Sequence, residues 1–152
     1  MHLDSTDKKL INLLQNDCKQ TTKQLSIQLN LSVTAVYERI KKLEKEQIIK
    51  QYVAIINKNK IEKSFLVFCH IKLIQHTKAY VTNFEKEVLK LHEVAECFHV
   101  SGDYDYILKI YVRDMESYRE FMITKLTAIK HIGSTHSIFN IGEVKNSPTI
   151  AL

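Results

Sequence analysis

The stretch Val94–Val112, VAECFHVSGDYDYILKIYV, carries two runs of alternating apolar and polar residues on either side of a Gly-Asp-Tyr-Asp segment. Alternation at period two marks strands with one buried face, and Gly followed by Asp is turn chemistry. The stretch therefore predicts two antiparallel strands joined across Gly102-Asp103. Upstream, FLVFCHIKL (65–73) predicts a strand whose residues Phe65, Val67, Cys69, Ile71 and Leu73 share an apolar face. AYVTNFEKEVLKLHE (79–93) follows with Val81, Phe84, Val88 and Leu91 on one helical stripe. Downstream, DMESYREFMITKLTAI (114–129) predicts a helix capped by Asp114 with Met115, Tyr118, Phe121, Met122 and Leu126 turned inward, and STHSIFNIGEV (134–144) predicts a last strand. The order is βαββαβ, a split-βαβ sandwich with two helices on one face of the sheet. The other face of the first strand, Leu66, Phe68, His70 and Lys72, is half apolar. Burial against a second copy would keep it from water, so a homodimer is expected.

The first 60 residues read differently. LDSTDKKLINLLQND (3–17) is an amphipathic helix with Ser5 as its expected cap and a stripe of Leu10, Ile11, Leu13 and Leu14. TTKQLSIQLNLS (21–32) predicts a short helix, capped by Thr21 or Thr22, that offers Leu25, Ile27 and Leu29 to the core. LSVTAVYERIKKLEKEQ (31–47) predicts a third, capped by Ser32, with Val33, Val36, Ile40 and Leu43 on the inner face. Its outer face carries Thr34, Ala35, Glu38, Arg39, Lys41, Lys42 and Lys45. QIIKQYVAIIN (47–57) alternates and is expected to form a wing strand. Three short helices ending in a basic one predict a helix-turn-helix, because the major groove of double-stranded DNA accepts one helix, with lysines on the phosphates.

Charge supports the division. Residues 1–60 hold 11 Lys+Arg against 6 Asp+Glu, whereas residues 61–152 hold 11 of each, so the whole net charge of +5 sits in the first part. A basic module joined to a neutral one fits a polyanion-binding domain over 1–60 attached to a second domain over 61–152. The composition also excludes much. Three glycines and one proline cannot supply a phosphate-cradling glycine loop or a GxSxG nucleophile elbow. Three well-separated cysteines, Cys18, Cys69 and Cys97, form no CxxC pair and indicate neither a zinc ribbon nor a disulfide framework. His70, His99 and His136 lie on three strands and Cys97 shares a face with His99, but no metal-spaced pair joins them, so no metal or cofactor is expected. No run reaches the ~20 apolar residues of a bilayer span and the first residues hold no signal core, so a cytoplasmic protein without membrane partners is expected.

Asp103 and Asp105 admit three readings: turn punctuation, an acid/base pair, or recognition of a small molecule. No nucleophile or cofactor motif accompanies them, which disfavours catalysis. Turn amides that hold a carboxylate, beside an aspartate that holds an ammonium group, would fit a free amino acid.

LDSTDKKLINLLQND followed by LNLSVTAVYERIKKLEKEQIIKQYVAIIN resembles the helix-turn-helix of the Lrp/AsnC (leucine-responsive, feast/famine) regulators. VAECFHVSGDYDYILKIYVRDMESYREF resembles their C-terminal RAM domain. The resemblance runs over nearly all of the sequence. It implies an α+β protein, a winged helix-turn-helix followed by a βαββαβ (ferredoxin-like, RAM) sandwich. It also implies a non-enzymatic transcription regulator that dimerises through RAM sheets, often as an octamer, and responds to an amino acid or related metabolite. The positions that correspond are Ser32, Thr34, Ala35, Glu38, Arg39 and Lys42 for DNA. For the effector they are Ser101, Gly102, Asp103, Tyr104 and Asp105, with Thr135 and Ser137 on the last strand. Gln47 departs from the family's usual glycine, and His92 and Lys130 replace common prolines. A nucleoid-type architectural protein and a sirohaem-decarboxylase-like enzyme on the same scaffold are the alternative functions.

Overall fold

The computed structural model describes residues 2–152, and the protein divides into two compact units. One runs up to Ile55 and includes Lys145–Leu152; the other is Ile56–Val144. Among the described residues, no helix is long and apolar enough to cross a membrane.

The first unit holds three helices, α1 (Ser5–Asn16), α2 (Thr22–Leu29) and α3 (Val33–Lys45). Leu10, Ile11 and Leu14 of α1, Leu25 of α2, and Val36 and Leu43 of α3 make its core. Each helix start is capped by a side chain, which satisfies N–H groups that have no partner in the helix. Thr21 and Gln24 form a reciprocal capping box on α2, and the Ser32 hydroxyl accepts from Ala35 N–H on α3. At α1 the cap is Asp4, not Ser5: Asp4 and Asp7 exchange backbone-to-carboxylate bonds, and Ser5 is the first helical residue. Two apolar expectations also fail. Ile27 is 73% exposed and Val33 47% exposed. Val33 sits at the edge of its stripe, Ile27 lies two residues from both Leu25 and Leu29 and therefore on the opposite face of α2, and Leu25, Val36 and Leu43 already fill the space between three short helices. The expected wing strand is absent among the described residues. Residues 51–57 are exposed and belong to no strand, because the unit contains no second strand to pair with them. Late in the sequence, the Gln15 side chain bonds both the N–H and the C=O of Ile150, tying the last residues to α1.

The left-handed residue Gln47 (φ 57°) ends α3. Ile48 N–H reaches Leu43 C=O and Gln47 N–H reaches Glu44 C=O, each at 3.0 Å, a Schellman closure with glutamine where glycine is favoured.

The second unit has strands β1 (Phe65–Leu73), β2 (Val94–His99), β3 (Tyr106–Val112) and β4 (Ile132–Phe139), with α4 (Lys78–Val88) and α5 (Met115–Phe121). The sheet is antiparallel with spatial order β2-β3-β1-β4. Val67, Cys69, Ile71 and Leu73 of β1 and Leu108 and Ile110 of β3 pack under Phe84 and Val88 of α4 and Tyr118 and Phe121 of α5. Both helices thus cover one face, as the alternation predicts. Asp114 caps α5 by accepting from Ser117 N–H; that bond first, then Arg113, holds its carboxyl far below the usual range. Met115, expected inside, is 50% exposed, because it starts the helix and the stripe begins one turn later at Tyr118. After Phe121 a π-type turn, Met122–Leu126, keeps Leu126 and Ile129 in the core. The uncovered face presents Phe98 (52% exposed) and Ile138 (41%) together with His70 and Lys109.

Replacing Gln47 with glycine removes the Cβ penalty of the left-handed backbone. Gln47→Gly is expected to raise the unfolding free energy by about 1 kcal/mol, read from urea denaturation followed by the helical circular dichroism signal.

Candidate functional site

On α3 the core residues Val36, Ile40 and Leu43 leave the outer face to Val33, Thr34, Tyr37, Glu38, Lys41, Lys42 and Lys45. Of the six residues expected to meet DNA, Thr34, Glu38 and Lys42 are in reach of solvent on this outer side. Ser32 is exposed, but its hydroxyl is engaged as the cap, and Ala35 supplies the N–H it accepts. Arg39 is occupied elsewhere: Nη1 donates to Asp4 Oδ2 at 2.8 Å and Asp7 Oδ1 at 2.5 Å. Asp7 is 3% exposed, so Arg39 supplies the countercharge for a buried carboxylate and ties α3 to the start of α1. The bond from Asp7 N–H, then Arg39, keeps the Asp4 carboxyl below its ordinary range. Missed in the sequence was Tyr37, 49% exposed, with the Lys41 ammonium 5.8 Å from its ring centre. Its signal was present: Tyr37 lies four residues before Lys41, outside the stripe of Val36, Ile40 and Leu43.

In the second unit, Ser101–Asp105 joins β2 to β3 at the end of the sheet where β1 finishes. Val100 N–H reaches Asp105 C=O at 2.9 Å and closes the turn. Gly102 has φ 119°, a conformation that side-chain-bearing residues rarely adopt, with no atom near the place a Cβ would occupy; backbone, not space, demands glycine. The two aspartates differ. Asp105 N–H donates to Ile71 C=O, while its carboxylate accepts Leu73 N–H at 2.7 Å and lies 3.1 Å from His76 Nδ1. Burial opposes the charge on Asp105, but Leu73 N–H, His76 and Lys72 outweigh it and hold the carboxyl below its usual range. The backbone carbonyl of Asp103 accepts from Lys72 Nζ at 2.7 Å. The Asp103 carboxylate is exposed and has no hydrogen bond or ion pair among the described residues.

Tyr104 turns toward the uncovered face. Its ring lies 4.7 Å from His70 and 6.1 Å from His136, which are paired across β1 and β4. The last strand thus brings His136 to the turn. Thr135 and Ser137 sit opposite Ile71 and Cys69, on the helix-covered side. Ser137 Oγ is 2.6 Å from Tyr118 Oη, which occupies its hydroxyl beneath α5. The sequence signal for His70 and His136 was their place on the polar phase of two strands. Among the described residues, no group of three or more His, Cys, Asp or Glu could hold a metal ion.

A basic three-helix unit with an exposed recognition helix, together with a ferredoxin-like unit that carries a polar turn at the sheet end, defines a DNA-binding protein with an appended sensor-type domain. Residues 3–50 match the winged helix-turn-helix DNA-binding model, and residues 66–150 match the Lrp/AsnC ligand binding domain. The leucine-responsive regulatory protein of Klebsiella pneumoniae is 35% identical over 150 residues, covering 99% of this sequence and 92% of that protein. The Escherichia coli K12 protein of the same name matches to the same extent, 35% over 150 residues. A Neisseria meningitidis transcriptional regulator solved as its L-Met complex superposes with TM-score 0.93 at 28% identity, covering 98% of this protein and 96% of that one. The protein belongs to the Lrp/AsnC family of transcriptional regulators.

Two pairs of substitutions separate residues tied into the fold from residues exposed at the surface. Arg39→Ala strands the buried Asp7 carboxylate and is expected to cost about 1–3 kcal/mol in urea denaturation, whereas Lys42→Ala leaves stability within about 0.5 kcal/mol. Asp105→Ala orphans Leu73 N–H and is expected to cost about 1–3 kcal/mol, against a negligible change for Asp103→Ala. Since Asp105 has a depressed pKa, its contribution is present above the ordinary carboxylate range and is lost as pH falls through its lower folded value. The Asp105→Ala penalty should therefore shrink in acid.

Proposed function

We propose that this regulator binds a free amino acid at the Ser101–Asp105 turn and couples that binding to operator occupancy by α3. The observation that carries the reading is the division of labour in the turn. Asp105 is committed to holding β1, while Asp103, on a backbone fixed by Gly102 and Lys72, keeps a free exposed carboxylate suited to an ammonium group. The L-Met complex of the Neisseria relative supports an amino-acid effector of this kind. Ser101, Gly102 and Tyr104 are the turn residues assigned to the same ligand, with Thr135 and Ser137 kept as second-rank positions behind the wall of β4. On the DNA side Thr34, Glu38 and Lys42 are assigned to contact, Ser32 and Ala35 to the helix start that approaches the phosphates, and Arg39 to holding α3.

The uncovered sheet face, with Phe98 and Ile138 exposed, supports a homodimer through that face, and higher assembly to an octamer belongs to the same proposal. A DNA-binding domain on the unit that runs up to Ile55 with Lys145–Leu152, an effector and oligomerisation domain on Ile56–Val144 (in place of the expected 1–60 and 61–152), a cytoplasmic setting and a non-enzymatic role complete it.

A thermal-shift screen of the twenty amino acids tests the reading. A ligand present at about 100 times its Kd adds about 2.7 kcal/mol to stability, a clear rise in melting temperature. Asp103→Ala should abolish that rise without lowering the starting melting temperature. A flat profile across all twenty for the wild type overturns the effector assignment.

A further inference from the structure

The outer face of α3 holds an apolar strip that neither the core nor the phosphate contacts explain. Val33 is 47% and Tyr37 49% exposed, four residues apart and therefore adjacent on the helix surface, and Thr34 lies beside them. Exposed valine and tyrosine side by side on a helix of a small unit call for a partner. Position says which. The strip occupies the N-terminal half of α3, and the basic residues follow toward its end: Lys41, paired with Glu44 at 3.0 Å, then Lys42 and Lys45. A helix entering the major groove uses its early residues on base edges and its lysines on phosphates. In that groove the bases present hydrogen-bond donors and acceptors and a single apolar group, the C5 methyl of thymine. The Lys41 ammonium lies over the Tyr37 ring, 5.8 Å from its centre, and Tyr37 is still 49% exposed.

We propose that Tyr37, flanked by Val33 and Thr34, is a specificity-determining residue that reads thymine methyl groups, so that the operator carries A·T pairs under the N-terminal half of α3. Tyr37 sets sequence preference without neutralising phosphate, which distinguishes it from Lys42.

The test uses the full-length protein. Binding sites are selected from a random duplex library, and each thymine of the best site is then replaced in turn by deoxyuridine, which lacks only the C5 methyl. Wild type is expected to lose about fourfold in affinity at one or two thymines, the effect of one buried methyl. Tyr37→Ala should be insensitive to uracil at those thymines and tolerate other base pairs there, with the salt dependence of binding unchanged. Tyr37→Leu, which keeps an apolar surface, should retain uracil sensitivity. Lys42→Ala should keep it too, while its salt slope falls by about one.

Wild-type binding that is indifferent to uracil at every thymine overturns the proposal, as does a Tyr37→Ala variant with the wild-type preference. If Tyr37→Ala binds no duplex at all, Tyr37→Leu decides: recovered binding with uracil sensitivity supports the methyl contact, and failure to recover overturns it. A change in oligomeric mass on Tyr37→Ala, by light scattering, assigns the strip to an interface between copies and likewise overturns it. Absence of any selected site for wild type at low salt would instead refute duplex reading by α3, a separate failure.

Discussion

The central strand β1 is the element on which the sensor unit depends. It pairs with β3 on one side and β4 on the other, and its residues Val67, Cys69 and Ile71 are fully buried under the helices. Its end is where the Asp105 carboxylate takes the Leu73 N–H, beyond the last residue paired with β3. A side chain from the turn thus continues the hydrogen bonding of the ladder. The same bond fixes Asp105 relative to β1, which leaves Asp103, two residues earlier, on a held backbone with its carboxylate in solvent. The geometry that frees one aspartate is produced by the confinement of the other.

In the DNA-binding unit the corresponding constraint is Arg39 with Asp4 and Asp7. The capping box needs two carboxylates close together at the start of α1, and one of them is buried. Like charges so placed would repel, and the guanidinium of α3 offsets this while fixing α3 against the start of α1. A recognition helix must present its outer face rigidly for bases to be told apart, and a charge-assisted tie is suited to that.

Most of the fold was legible because its periodicities are clean. β1 buries every second residue from Val67 to Leu73, although Leu66 on its other face is buried too, and Val36, Ile40 and Leu43 mark the inner face of α3. Misreadings fell where one residue has two plausible neighbours. Ser5 and Asp4 are both good caps, and only the reciprocal bond with Asp7 selects Asp4. Val33 and Met115 lie at helix starts and Ile27 on the face of α2 opposite Leu25, and apolar character alone does not fix burial there. The wing strand failed for a different reason: Tyr52–Ile56 is an unbroken apolar run, not an alternation, and a strand exists only beside another strand. The candidate site was half legible. The Gly-Asp-Tyr-Asp turn announced itself, yet the unequal duties of its two aspartates depend on the register that sets Leu73 beside Asp105. Tyr37 was read past because it interrupts a basic face, and Arg39 was counted as a contact because its buried partner lies 32 residues away.

The bond pair between Gln15 and Ile150 has a consequence for how the protein is made. The first unit includes Lys145–Leu152, so it is interrupted in sequence by the whole of Ile56–Val144. Its three helices emerge from the ribosome early, but the segment that engages Gln15 follows only after the sensor unit has been synthesised. At ~5–20 residues per second that interval is on the order of ten seconds, long compared with the folding of a small helical unit. The nascent DNA-binding unit therefore exists first with the polar side of α1 open, and the finished contact forms only once synthesis has passed Ile150.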